Sequence, residues 1–235
     1  MFPEPVGWME MICRVPLGRH AACFVGIAAL SPMASLACDG PKELREATPA
    51  TIQQTLRRQG KEVLTFMGYS GGGYESPQAM KRQALQVLAK KDSARTVINI
   101  GATAEGIGAV YALAKQKGFT TIGIVSSLAR EKKMPLSPCV DMVFFVKDST
   151  WGGTVPGTRE LSPTSAAIVA SSDAFVAIGG GDVARDEVLA ARQAGKPVLF
   201  VPADMNHGIA VEKASKAGKP LPTDFRGSLH HVFQH

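Results

Sequence analysis

The stretch Ser172-Asp173-Ala174-Phe175-Val176-Ala177-Ile178-Gly179-Gly180-Gly181-Asp182, continued by Val183-Ala184-Arg185-Asp186-Glu187, decides the fold. A short apolar run ends in three glycines, and a helix-compatible segment opens at once. A buried parallel strand that delivers its end to a helix N-terminus reads this way. Successive glycines let backbone N–H groups approach a guest with no side chain between. The helix start adds unpaired donors and a partial positive charge, so the expected guest is an anion. A tight strand-to-helix turn with no ligand is the competing reading of the same residues.

Outward from this stretch the pattern repeats. Glu62–Met67 reads as a first strand ending at Gly68-Tyr69-Ser70-Gly71-Gly72-Gly73. Ser76-Pro77 then supplies an N-cap and a proline at the first helical position. Thr96–Ile100 reads as a second strand ending at Gly101-Ala102-Thr103-Ala104-Glu105-Gly106, with a helix through Tyr111 stopped at Gly118. Thr120–Val125 and Met142–Val146 read as strands three and four. Asp148 to Pro163 is a long polar loop holding Trp151, Gly152, Gly153 and Arg159, and a helix from Thr164 leads into the opening stretch as strand five. Pro197–Val201 is strand six, Gly208 to Ala217 a last helix, and the residues from Gly218 an irregular tail. Strands alternating with helices predict an α/β fold of three layers, doubly wound, with a mainly parallel sheet of about six strands. In such a sheet, ligands bind beyond the carboxyl ends of the strands.

The chain has 235 residues, 45% of them hydrophobic and 20% charged, enough for one domain with a full core. Its net charge of +6 has no long basic run behind it and no nucleic-acid-reading motif beside it. A small anionic partner suits that balance, and no nucleic acid is implied. Residues 1–38 are of another kind. Arg14 and Arg19 precede the apolar run Ala21–Leu30, and Ser35-Leu36-Ala37 resembles a cleavage site. This is the layout of a signal peptide, with a run too short to span a membrane. The expected location is therefore periplasmic or secreted, with Cys38 as the acceptor if the site is a lipoprotein one. A wrongly chosen start codon would make the chain cytoplasmic instead. Residues 39–61 read as a connector with one short helix, 62–217 as the binding domain and 218–235 as its tail. Three of the four cysteines lie in the leading segment, which leaves Cys139 as an expected buried thiol without a disulfide. Neither metal-ligand spacing nor a resident cofactor motif is present. His230, His231 and His235 lie in the tail without matching thiols or carboxylates.

Two familiar loops are excluded by spacing. No glycine loop opens a helix as G-x-G-x-x-G, and Ile107-Gly108 stand where a Walker A loop needs Lys and Ser/Thr. Gly68-Tyr69-Ser70-Gly71-Gly72 matches the G-x-S-x-G elbow of serine hydrolases, with Asp204 and His207 as partners. An elbow helix starts directly after its serine, however, and the cap here is Ser76.

Taken together, the three loops resemble the LOG-like (SLOG) superfamily of Rossmann-type proteins. Its best-known members are phosphoribohydrolases that release cytokinin bases from nucleoside monophosphates, once mislabelled lysine decarboxylases. The resemblance runs from about Val63 to Asp204. Its signature, P-G-G-x-G-T-x-x-E, reads here Gly179-Gly180-Gly181-Asp182-Val183-Ala184-Arg185-Asp186-Glu187. Gly180, Gly181 and Glu187 fall in register. Gly179 replaces the proline, Val183-Ala184 replace the phosphate-holding Gly-Thr, and Thr164 stands near the place of the catalytic arginine, with Arg159 out of register. The resemblance implies binding of a nucleotide or phosphoribosyl ligand, with Glu187 the candidate for breaking its N-glycosidic bond. A non-catalytic sensor or carrier is the alternative. Dimers are common in the superfamily, so a homo-oligomer is implied as well. The candidate ligand-binding residues are Ser70, Gly71, Gly72, Gly73, Gly101, Thr103, Gly106, Trp151, Gly179, Gly180, Gly181 and Asp182. For Asp182 the helix-capping role is the alternative.

Overall fold

The computed structural model describes residues 38–234. All of the expected signal-peptide segment 1–38 except Cys38 lies outside the described residues. Seven strands form one all-parallel sheet: β1 (Glu43–Glu46), β2 (Glu62–Gly68), β3 (Thr96–Ile100), β4 (Thr120–Ser126), β5 (Met142–Val146), β6 (Ala174–Ile178) and β7 (Val198–Val201). Their order across the sheet is β1-β5-β4-β3-β2-β6-β7. From the central β2 the chain winds one way through β3, β4 and β5, then returns to add β6 and β7 on the other side. The winding reverses beside β2, and a crevice opens at such a switch point.

Helices cover both faces. On one side α2 (Pro77–Leu88) and α3 (Ala109–Gln116) pack Met80, Leu88, Val110 and Tyr111 onto Leu64, Phe66, Ile98 and Ile100. On the other, α1 (Pro49–Arg58), α5 (Pro163–Ser171) and α6 (Asp182–Gln193) pack Ile52, Leu56, Ile168 and Val188 onto Val63, Met67, Val97, Ile124 and Phe175. The short α4 (Leu128–Glu131) follows β4, and α7 (His207–Lys216) follows β7. The cap expected from sequence forms, with Ser76 Oγ accepting from the Ala79 amide, and Ser162 Oγ likewise accepts from the Ser165 amide, each serine followed by proline. Each satisfies one of the donors that a helix start leaves unpaired. Among the described residues no helix is long and apolar enough to cross a membrane.

Three expectations need correction. Residues 39–61 are more than a connector, because Glu43–Glu46 pairs in parallel with β5 as an edge strand. Its charged sequence hid it, since a strand with one open edge has no reason to be apolar and charge protects that edge. Nor is the tail irregular: Gly227–His230 forms α8, followed by a 3-10 turn over His231–Phe233. Leu229 is fully buried, and Phe233 stacks on Phe200 with centroids 4.4 Å apart beneath the Arg192 guanidinium. Finally, Cys139 is no free thiol. It forms a disulfide with Cys38, whose backbone is brought alongside by the Gly40 amide donating to the Pro138 carbonyl at 2.8 Å. A sulfur in this bond is not free for lipid.

Candidate functional site

A cavity of about 590 Å³ opens at the carboxyl ends of β2, β3 and β4, beside the switch point. Its walls come from the loop after β2 (Ser70, Gly71, Gly72), the loop after β3 (Gly101 to Glu105) and the first turns of α5 and α6. Met67, Ile124 and Ile168 make it apolar inside, and Thr65 and Asn99 line it from β2 and β3. Trp151, Met134 and Val183 stand at its rim, all exposed.

The start of α6 is built for an anion. Gly181 is the N-cap and no side chain caps the helix, so the first-turn amides lack partners, while Val183 and Ala184 line the cavity. Asp182 does not cap. It is the first helical residue, exposed, and pairs with Arg185 at 2.9 Å. The amides of Gly71 and Gly72 are likewise unpaired among the described residues, and Lys213 Nζ donates to the Gly71 carbonyl at 2.9 Å. Lys213 is the one cation among the described residues that line the cavity.

Glu187 lies one turn further along α6 and is 5% exposed. Ser165 Oγ donates to its Oε1 at 2.5 Å and accepts from the Gly153 amide at 2.7 Å. Burial, reinforced by the nearby Asp186 charge and only partly offset by Ser165, pushes the Glu187 carboxyl up to about 7. At neutral pH it therefore exists both as acid and as carboxylate. Asp148 behaves in the opposite way. Burial opposes its charge, but hydrogen bonds from Thr164 and Thr150 outweigh it and hold the carboxyl below the ordinary range. Its Oδ2 accepts from the Thr164 amide at 2.9 Å, so the start of α5 already has its anion.

The Trp151 loop is tied to α6. Thr154 gives its amide and hydroxyl to Asp186 at 3.0 and 3.1 Å, and Gly153 reaches Ser165 as above. Trp151 is thus held over the mouth of the cavity with about half its surface open. Arg159 is exposed and does not line the cavity. Thr164 does line it, so a small side chain fills the place at which an arginine was expected from the resemblance.

The glycine triplet that organised the sequence reading is placed differently from expectation. Gly179, Gly180 and Gly181 do not line the cavity. Gly179 has φ +57°, and a Cβ there would lie 2.5 Å from the Tyr69 ring. The Gly180 carbonyl accepts from the Leu229 amide at 3.1 Å, and Tyr69 Oη donates to the Arg226 carbonyl at 2.5 Å. The C-terminal turn therefore packs against Gly180, while a Cβ at Gly181 would meet nothing within 4 Å. Gly73 and Gly106 are also absent from the lining; a Cβ at Gly106 would run into the Tyr69 carbonyl. Ser70, Gly71, Gly72, Gly101, Thr103, Trp151 and Glu187 do come together there. Sequence reading missed Asn99, Thr65, Ser165 and Lys213. An asparagine within Thr-Val-Ile-Asn-Ile was a usable signal, because a polar side chain in a doubly covered strand needs a reason.

The serine hydrolase arrangement does not assemble. His207 Nε2 lies 3.3 Å from Asp204, but its ring stacks on Phe225 and makes no hydrogen bond with exposed Ser70. No three His, Cys, Asp or Glu side chains among the described residues converge as metal ligands.

No family model matches the chain, and no curated protein sequence matches it. Solved structures do. An X-ray structure of the structural-genomics target TM1055 aligns at 20% identity over 58% of this chain and 72% of its own, with a TM-score of 0.42. The molybdenum cofactor carrier protein of Chlamydomonas reinhardtii aligns at 21% identity over 74% of this chain and 97% of its own, with a TM-score of 0.43. These are likenesses of fold. The parallel sheet and its strand order make this a Rossmann-like α/β protein, the fold that the LOG-like resemblance implied.

Proposed function

We propose that this chain binds a nucleotide or phosphoribosyl-type ligand in the cavity beyond β2, β3 and β4. One observation carries the reading: the first turn of α6, which no side chain caps, and the buried Glu187 line the same cavity. An anionic group at the helix start and a ribosyl ring beside Glu187 would use both. The free amides of Gly71 and Gly72 and the Lys213 ammonium add donors for the anion. Glu187 has the chemistry to act on the bond between ring and sugar, because its carboxylate would stabilise positive charge developing at the anomeric carbon. Among the described residues the lining holds Thr164 where the resemblance implied an arginine, which favours retention of the ligand, as in a sensor or carrier, over its turnover. Thermal unfolding against AMP, CMP, ADP-ribose, NAD and ribose 5-phosphate tests binding. A ligand at 100 times its Kd should add about 2.7 kcal/mol. No shift from any of them removes the proposal. Base release by the wild type but not by Glu187→Gln would make the protein a hydrolase; binding without release would make it a carrier or sensor.

We also propose export. The disulfide between Cys38 and Cys139 supports it, since such bonds persist in oxidising compartments. Cleavage after Ala37 would leave Cys38 as the first residue of the mature chain, still able to bond Cys139. N-terminal sequencing of protein from the native host decides the matter: a chain starting at Met1 would overturn the proposal.

A further inference from the structure

We propose that Asn99 reads the ligand, and that the part of the ligand reaching it is a neutral ring bearing an N–H donor. This rests on the cavity being a ligand site. Asn99 is the last residue but one of β3, is fully buried and lines the cavity. Its Nδ2 donates to Thr65 Oγ1 at 2.9 Å, and Thr65 Oγ1 lies 2.5 Å from Ser172 Oγ. Ser172 Oγ donates to the Ile168 carbonyl at 2.7 Å.

Counting protons along this chain settles which way the amide points. Ser172 has one proton and spends it on Ile168. Thr65 must therefore donate to Ser172, which leaves its oxygen to accept from Asn99. With the amide reversed, Thr65 would have to donate to both neighbours with a single proton. The orientation with Nδ2 on Thr65 is thus the one that satisfies every contact. It leaves Asn99 Oδ1 as a buried acceptor with no partner.

Such an oxygen is costly to leave unmatched, and native proteins keep one chiefly where a guest or a water completes it. The neighbouring side chains supply no bond to it. Thr65 is committed, and Ser126 Oγ donates to the Asp148 carbonyl at 3.1 Å. Thr164 lines the same cavity, but its Oγ1 is itself buried without a partner and does not bond Asn99. Met67, Ile124 and Ile168 are apolar. Among the described residues nothing completes Oδ1, and a guest in the cavity would. Apolar walls penalise a charged ammonium, so the fitting donor is the N–H or NH2 of a neutral heteroaromatic ring, which the same walls and the Trp151 rim would enclose.

The test uses adenosine and purine riboside, which differ by one amino group and have no ring N–H because the sugar occupies that nitrogen, with ribose 5-phosphate reporting the anion end. Titration calorimetry on the whole chain should show adenosine binding at least tenfold tighter than purine riboside, and Asn99→Leu should bring the two within twofold of each other. Without ligand, Asn99→Leu should unfold at or above the wild-type temperature, because it removes an unmatched acceptor. Equal affinities in the wild type, no ring binding, or a fall of several degrees in Asn99→Leu would each overturn the proposal, the last by showing Asn99 already satisfied, by a buried water for instance. Adenosine preference without any binding of ribose 5-phosphate or AMP would remove the phosphoribosyl reading alone. Ribose 5-phosphate binding without ring preference would remove this one alone.

Discussion

Replacing Glu187 with glutamine should stabilise the protein, and only above the pH at which the carboxyl ionises. The group titrates near 4.5 when exposed and at about 7 in the fold, chiefly because burial penalises its charge. The folded chain therefore holds this proton to higher pH than the unfolded chain does. Stability from this group falls as pH rises from about 4.5 through about 7, and is level above that. The gap corresponds to about 3 kcal/mol lost by pH 8. Glutamine never ionises and its Oε1 still accepts from Ser165, so Glu187→Gln should recover that amount at pH 8 and almost none at pH 4.5. With about 2.1 cal/mol/K of unfolding entropy per residue over roughly 200 residues, 3 kcal/mol is about 7 °C in Tm. The assay is calorimetric unfolding of both proteins at pH 4.5, 6 and 8. A difference in Tm that does not change with pH would refute the reasoning, because the carboxyl would then titrate as an exposed one. The same titration sets an expectation for turnover, if there is any. Activity that needs the carboxylate should rise with pH through about 7.

Three other perturbations separate structural from functional residues. Reducing the Cys38–Cys139 bond, which closes a separation of 101 residues, should cost up to about 4.7 kcal/mol and lower Tm by about 10 °C, with no effect of reductant on a Cys38→Ser variant; equal Tm with and without reductant, in protein whose disulfide is verified by mass, would contradict it. Trp151→Ala should leave Tm within about 2 °C, since the ring is half exposed, while weakening ring-bearing ligands about tenfold; unchanged ligand affinity would remove Trp151 from the site. Gly227→Ala, at φ +68° against Tyr69 and the Gly180 carbonyl, should cost at least about 2 kcal/mol in urea unfolding yet leave ligand affinity unaltered in the folded fraction, because that contact lies outside the cavity.

The sheet was legible because six of its strands are apolar runs, and β3 and β5 fall at their expected limits. Alternation of strand and helix then leaves few topologies, and the switch beside β2 follows from them. What stayed hidden was written outside the apolar pattern. Glu43–Glu46 pairs along one edge through its backbone, which no side-chain periodicity reports. Cys38 meets Cys139 because the first described residues run alongside the start of β5, a contact that spacing along the chain does not reveal.

Of the candidate residues, those in the loops after β2 and β3 line the cavity in part, and the glycine triplet after β6 does not. A strand end rich in glycine says that something approaches the backbone closely, and says nothing of what. After β2, Gly71 and Gly72 keep free amides toward the cavity. After β6, the approaching groups are Tyr69 and the turn at Gly227 and Leu229, which belong to the protein itself. Gly179 and Gly180 therefore pack against Tyr69 and the C-terminal turn. Glu187 lies further along α6, with its carboxyl against Ser165. The turn itself lies outside the cavity. Gly227→Ala tests that placement: if its folded fraction bound ligand more weakly, the triplet would be part of the site after all, acting by position where the sequence had suggested contact.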